Sequence, residues 1–269
     1  MDSPERSGIK QGLIELDHKI GSRLDELDVQ IRRRITPFIA IMLADLKGLL
    51  KTRITYGWLI AAAFIHFLSV QGGVAILDTS TIIIRELSTF TTIWTFLIIG
   101  ISASAVSSES GELADSIMSK AVKRYDYILA KFTSRITYMM TIFLVITLII
   151  VGFSIRGAEN THDITGLVVS ILFVALLLIM ITTLGVTLST MTSNTIISVI
   201  SLLIIWAAMI TIFPVLDLGL IAPTELMIAL LDVIQGVWIG DEWIPAVVYG
   251  TITILSVILS TVYFSIKDL

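Results

Sequence analysis

Six apolar runs, at approximately 56–77, 88–106, 136–155, 165–191, 195–216 and 244–266, carry no Asp, Glu, Lys or Arg. A helix needs about 20 such residues to cross a hydrocarbon core of roughly 30 Å, and each run is about that long. With 55% of its residues hydrophobic and a mean hydropathy of +0.94, the chain is too apolar for a soluble domain. The sequence predicts an all-α polytopic membrane protein with six transmembrane helices. There are no cysteines, which excludes disulfides and thiolate metal sites.

Basic residues set the expected orientation. Of the 18 Lys and Arg, ten precede the first run, five lie in 107–135 and one is Lys267, leaving Arg85 and Arg156 in the alternate loops. Those loops hold acids instead: Asp78, Glu86, Glu159, Asp163, Asp217, Glu225, Asp232, Asp241 and Glu242. Basic residues accumulate on the cytoplasmic side. With an even number of spans, both termini and the 107–135 loop are expected in the cytoplasm, and the chain in the cell membrane. The first 35 residues are polar and lack the apolar centre of a signal peptide, so the first span is expected to serve as its own insertion signal.

The chain divides into an N-terminal helix within 1–35, an elbow at 36–55 and a membrane domain at 56–269. Ile9, Leu13, Leu16, Ile20, Leu24, Leu27, Ile31 and Ile35 fall within one arc at helical pitch. That amphipathic helix either packs on a partner, pairs with a second copy as a coiled coil, or rests on membrane lipid. Thr36-Pro37 then opens a second helix. Its stripe is Ile39, Met42, Leu43, Leu46, Leu49, Leu50 and Ile54, flanked by Asp45, Lys47 and Lys51. Leading directly into a span, it reads as an interfacial elbow.

Uncharged spans bear on mechanism. Proton- and sodium-driven transporters keep charged side chains within the membrane, and here His66 is the only strongly titratable residue inside an apolar run. A lone His in a span is read as a packing or hydrogen-bonding residue ahead of a proton relay. No GxxxxGK[ST] phosphate loop is present, so energy for uphill movement has to arrive from another polypeptide. Neither a nucleic-acid partner nor a cofactor is expected. The nine methionines, without Cys or a His cluster, read as packing residues and not as a metal site.

The segment 107–135 is the one long charged stretch between two apolar runs. Wound as a helix capped by Ser110, it places Leu113, Ala114, Ile117, Met118 and Ala121 on one side. Glu112, Asp115, Ser116, Ser119 and Lys120 fall on the other. Such an element either docks a partner by its polar face or lies on the headgroups as an ordinary basic loop. The run resembles the loop between the second and third spans of ABC-two type transporter permeases. Their motif reads approximately as an acid, Gly-Thr-Leu, a Leu-rich patch, Ser-x-Pro-Val-x-Arg and Tyr-x-x-x-Lys. The counterparts are Glu109, Gly111, Ile117-Met118, Ser119, Val122, Arg124, Tyr127 and Lys131, with no Thr after Gly111 and with Ala121 in place of Pro. The resemblance covers roughly 39–269. It implies an exporter subunit, in a family some of whose members are linked to maturation of copper enzymes. It also implies a second permease copy or homologue, and a coupling helix that sits on a separate ATPase subunit. The implied ATPase-coupling residues are Glu109, Gly111, Arg124 and Lys131, joined by Glu112, Asp115 and Lys120 on the polar face. No catalytic residue is expected.

Within the second run, Ser88, Thr91, Thr92, Thr95 and Ser102 share an arc of about 100° at straight helical pitch. This face either bonds and packs between helices or lines a pathway. In the resembling family the second and fifth spans line the route, and the fifth run offers Ser198, Ser201 and Trp206. The loop 216–244 is half apolar, and Pro223-Thr224 predicts a helix through Gln235 burying Leu226, Met227, Leu230, Leu231 and Ile234. It reads as a re-entrant or surface helix, acting as a plug or as an interfacial anchor. Its Ala-Pro-Thr run also resembles the family. A different class remains open beside the permease: a non-transporting membrane scaffold held in a larger complex through the 9–35 helix.

Overall fold

The structure, a computed structural model, describes residues 37–74, 76–109, 123–159, 162–192, 194–216, 218–238, 240–241 and 243–266. The helix expected at 9–35 lies outside the described residues. So does 110–122, which contains most of the expected coupling helix.

Among the described residues the chain is helical, with no β-strand. The elbow helix α1 covers 37–50, and after a turn at Lys51-Thr52 comes α2, Arg53–Val74. Helix α3, Thr79–Thr89, continues through a π turn at Phe90–Trp94 into α4, Thr95–Ala103, and a 3-10 turn at Ser107–Glu109. Then follow α5, Arg124–Gly157; α6, Ile164–Thr192; and α7, Thr195–Thr211. Two 3-10 turns, Pro214–Leu216 and Gly219–Ile221, lead to α8, Pro223–Ile234, and finally α9, Trp243–Ile266.

Among the described residues, five helical stretches are long and apolar enough to cross a membrane: Arg53–Val74, Thr79–Glu109, Arg124–Gly157, Ile164–Thr192 and Trp243–Ile266. The run expected as a sixth span, 195–216, holds only the 17 residues of α7. Pro214 lacks the N–H that a continuing helix requires, and the chain turns there instead.

The second span starts earlier than its apolar run. Asp78 caps α3, its carboxylate accepting from the Thr81 N–H at 3.3 Å. Arg85 and Glu86, expected in a loop before residue 88, are therefore two turns inside the helix, and Glu86 is 1% exposed. The expectation that no strongly titratable group except His66 lies within a span is thereby corrected. A run of uncharged residues marks where charge is absent. It does not mark where a helix begins, and a paired charge extends a span past that limit.

Helix α6 is the hub, packing against α4, α5, α7, α8 and α9. Between apolar helices, close approach requires small side chains. At Gly185 a Cβ would lie 2.0 Å from Ser102 Oγ, and at Gly166 it would lie 1.8 Å from the Val233 carbonyl oxygen. Ser170, Thr182, Thr183, Ser189 and Thr190 are also buried on α6. Helix α8 packs on α6 and α3 with Leu226, Met227, Leu230, Val233 and Ile234 buried, on the face predicted from the sequence with Leu231 at its margin. Asp163 fixes the contact: its N–H donates to Ile234 O at 2.7 Å, and its carboxylate accepts from the Gly166 N–H at 2.8 Å.

A side chain at Gly166 has to displace the α8 backbone, so Gly166→Leu is expected to destabilise the protein by about 1–3 kcal/mol, the usual cost of overpacking. Gly250→Ala meets open space and is expected to be neutral or slightly stabilising. Thermal unfolding of both variants in the same detergent checks the difference.

Candidate functional site

The motif residues on either side of 110–122 meet. Glu109 ends the 3-10 turn after α4, while Tyr127 and Lys131 stand on the first turns of α5, one turn apart on the same face. Lys131 Nζ is 2.5 Å from Glu109 Oε1, and the Tyr127 hydroxyl donates to Glu109 Oε2 at 2.6 Å. The sequence did not bring the elbow into this site, yet Asp45 of α1 completes it. Asp45 Oδ1 accepts from Lys131 Nζ at 2.7 Å and more loosely from Arg135 Nη2 at 3.4 Å, and Oδ2 accepts from the Ser134 hydroxyl. One ammonium thus bridges two carboxylates on two separate elements.

The cluster is largely dry. The Lys131 side chain is 4% exposed and that of Asp45 9%, while Glu109 at 27% forms its open side. The Lys131 ammonium also lies 5.5 Å from the Tyr127 ring centroid, and that ring stacks on Phe264 near the end of α9. Four parts of the fold (the elbow, the end of α4, the start of α5 and the end of α9) are joined at one point. A cleft of about 590 Å³ opens beside it, lined by Asp45, Gly48, Thr52, Ser104, Glu109 and Arg135 among others.

Of the expected coupling residues, Glu109 and Lys131 are in this cluster. Lys131 is buried against its two carboxylates. Arg124 begins α5. Gly111, Glu112, Asp115 and Lys120 lie outside the described residues. Asp45, Ser134 and Arg135 were missed. A signal for Asp45 exists: it sits three residues after Met42 and four before Leu49, on the apolar stripe, where an acid requires a partner.

The expected hydroxyl face on the second span is not one face. The π turn carries extra backbone per turn, so the arc drawn at straight helical pitch is broken across 90–94. Thr92 is exposed, whereas Thr91, Thr95 and Ser102 are buried. Thr91 and Thr92 donate to Ser88 O, Thr95 to Phe90 O and Ser102 to Ile98 O. These hydroxyls are satisfied by their own helix, and Ser102 packs against Gly185.

A second charged cluster joins α2 and α3. His66 Nδ1 is 2.6 Å from Glu86 Oε2, and Trp94 Nε1–H donates to His66 Nε2 at 2.9 Å. The Ser69 hydroxyl donates to Glu86 Oε1, and Arg85 Nε stands 3.6 Å from the same oxygen. The hydrogen-bonding role read for His66 is the one observed. Among the described residues no three His, Asp or Glu side chains gather in a group able to hold a metal ion. No protein-family model matches the chain, and no curated protein matches it. Among the described residues, fold and sites together define a helical protein with five apolar helices of membrane-crossing length and two buried charged clusters, one of them joining Glu109 to the start of α5.

Removing Lys131 leaves two carboxylates facing each other, and breaking a buried pair from one side costs about 3–5 kcal/mol. Lys131→Met is expected to lower thermal stability sharply. Adding Glu109→Gln to it is expected to restore much of the loss, because Asp45 then keeps Arg135 as its partner and no buried charge is left unpaired. Melting temperatures of the single and double variants decide this.

Proposed function

We propose that the chain is the permease subunit of an ATP-binding-cassette transporter, an exporter, driven by a separate ATPase that docks on the 107–135 loop. The observation that carries this reading is the meeting of Glu109, Tyr127 and Lys131. The resemblance singles out these three residues from across a loop, and they converge on one ionic junction with the elbow. A segment whose two ends are clamped to each other and to α1 passes a push from below to the elbow and to two long helices together. That is the mechanical requirement for coupling to an ATPase that the chain does not itself contain.

In this reading the spans number six, α7 being the short fifth, and the termini and the 107–135 loop are cytoplasmic. Two permease copies or homologues face each other in the cell membrane. The outward faces of α2 and α7 carry Ile60, Phe64, Ile196, Ile200 and Ile204, all exposed in the single chain. They suit membrane lipid or the second permease. The polar face expected from the sequence, with Glu112, Asp115 and Lys120, meets the ATPase, while Lys131 and Glu109 hold the loop's base.

Two experiments test the reading. Reversing Glu112 and Asp115 to Lys sets like charges against a basic cleft on the ATPase. Loss of a buried charged contact costs about 2–5 kcal/mol, a tens- to thousands-fold loss of affinity at about 1.4 kcal/mol per decade. Loss of ATPase co-purification and of ATP-dependent transport, with membrane insertion unchanged, is the expected result; full retention of both sinks the proposal. Orientation is checked by single cysteines in this cysteine-free chain. Asn160→Cys and Asp241→Cys are expected to react with an impermeant maleimide from outside intact cells, and Ser110→Cys to remain unlabelled.

A further inference from the structure

Glu86 is a carboxylate 1% exposed in a helix of membrane-crossing length, the kind of group that is costly to keep there without a purpose or a partner. Its partner atoms determine the protonation pattern. An indole N–H can only donate, so His66 Nε2, 2.9 Å from Trp94 Nε1, is the accepting nitrogen. The imidazole hydrogen is therefore on Nδ1 and donates to Glu86 Oε2 at 2.6 Å. Glu86 then accepts from both His66 and Ser69 and is held as a carboxylate. Its countercharge is Arg85, whose side chain is 40% exposed and whose Nε stands 3.6 Å from Oε1.

The same imidazole grips the π turn at both ends. Phe90, its first residue, stacks on the His66 ring with centroids 5.1 Å apart, and Trp94, its last, is the hydrogen-bond donor. π turns are rare, cost helical regularity and concentrate where function requires them.

We propose that His66 and Glu86 form a proton-binding site inside the helical bundle, and that its occupancy sets the winding of the π turn between α3 and α4. One proton from water enters the His66–Glu86 hydrogen bond. Shared across the His66–Glu86 bond, it leaves hydrogen on Nε2 in either arrangement. If the imidazole is charged, both nitrogens carry hydrogen; if Glu86 is the acid and donates to Nδ1, the imidazole hydrogen moves to Nε2. In both cases Nε2 no longer accepts, and it faces the Trp94 N–H donor to donor. The tie at the end of the π turn is then released, and the turn is free to relax toward α winding.

The groups around the site support a local response. From α2 come the neutral Ser69 and Gln71, and from α5 the apolar Phe143, Ile146 and Ile150, several of them lining an apolar cavity of about 240 Å³ that also touches His66. Asp78 is engaged at the α3 cap, about 12 Å along the helix from Glu86. Helix α8, packed on α3, brings Glu225 and Asp232. Among the described residues, Glu86 has Arg85 as its ion-pair partner and His66 as a hydrogen-bond donor. The site does not depend on reading the chain as a permease.

The test titrates the full chain in lipid nanodiscs from about pH 8 to about pH 5, the range in which imidazoles change charge. Tryptophan emission is the readout, since a charged imidazole quenches a neighbouring indole. Subtracting Trp94→Phe isolates the relevant ring. Acid quenching of the Trp94 component, absent in His66→Gln and displaced along the pH axis in Glu86→Gln, is expected. No Trp94-dependent change, or the same change in His66→Gln, overturns the proposal. Hydrogen exchange of the peptide 86–98 in the unsubstituted chain, corrected for the intrinsic pH dependence of exchange, requires no variant to fold. Faster exchange at the acid end is expected, and unchanged exchange overturns the proposal whatever the emission does.

Discussion

The fold depends on the requirement that a charge taken out of water be met by another charge. The buried charges of both clusters pair between elements that are remote in sequence or on different helices. Lys131 reaches Asp45 and Glu109, while Glu86, beside Arg85, takes a hydrogen bond from the neutral His66 of α2. An apolar helix in an apolar bundle has little to define its rotation, since one greasy face packs much like the next. A carboxylate with a single acceptable partner removes that freedom. The Asp45–Lys131–Glu109 junction fixes the elbow against the start of α5 and the end of α4, and the Glu86–His66 pair fixes α3 against α2.

Between those two anchors the packing is of a different kind. Helix α6 has no charged residue and serves as the common wall, its glycines and hydroxyl residues admitting neighbours to near backbone contact. Its hydroxyls also complete polar ends elsewhere. Ser189 Oγ accepts from the backbone N–H groups of Val106 and Ser107, at 3.0 and 2.9 Å, where α4 has ended. Small side chains therefore do two jobs, setting interhelical distance and satisfying backbone groups for which no water is at hand.

Much of this was legible from residues alone. The long apolar runs marked the membrane-length helices, and Pro223 with the Leu226–Leu230–Ile234 spacing marked α8 and its buried face. The residues of the ionic junction were half legible: Glu109, Tyr127 and Lys131 were found by resemblance, and Asp45 was read as a flank of its stripe. What the pattern could not carry was pairing across distance. Glu86 looked like a loop residue because hydropathy counts a charge as an end to a span, and only the position of His66 one helix away reverses that reading. The π turn was equally hidden. Nothing in Phe-Thr-Thr-Ile-Trp differs from ordinary helix, and the register of Thr92 against Thr91 and Thr95 followed it. Helix α7 ended early for a reason that was visible, Pro214, and that was outweighed by the length of the apolar run.

On the six-span reading proposed above, the shortness of α7 has a consequence for the lipid around it. Seventeen residues rise about 25 Å, several ångströms less than a typical hydrocarbon core of roughly 30 Å. Ile196, Ile197, Ile200 and Ile204 point outward from this helix, so in a bilayer the neighbouring acyl chains adjust to it. Such hydrophobic mismatch costs fractions of a kcal/mol per ångström. Here the turns at Pro214–Leu216 and Gly219–Ile221 carry exposed Val215 and Leu216 beyond the helix end. On that reading this side of the molecule fits a thinner membrane than α5, at 34 residues and about 51 Å, requires.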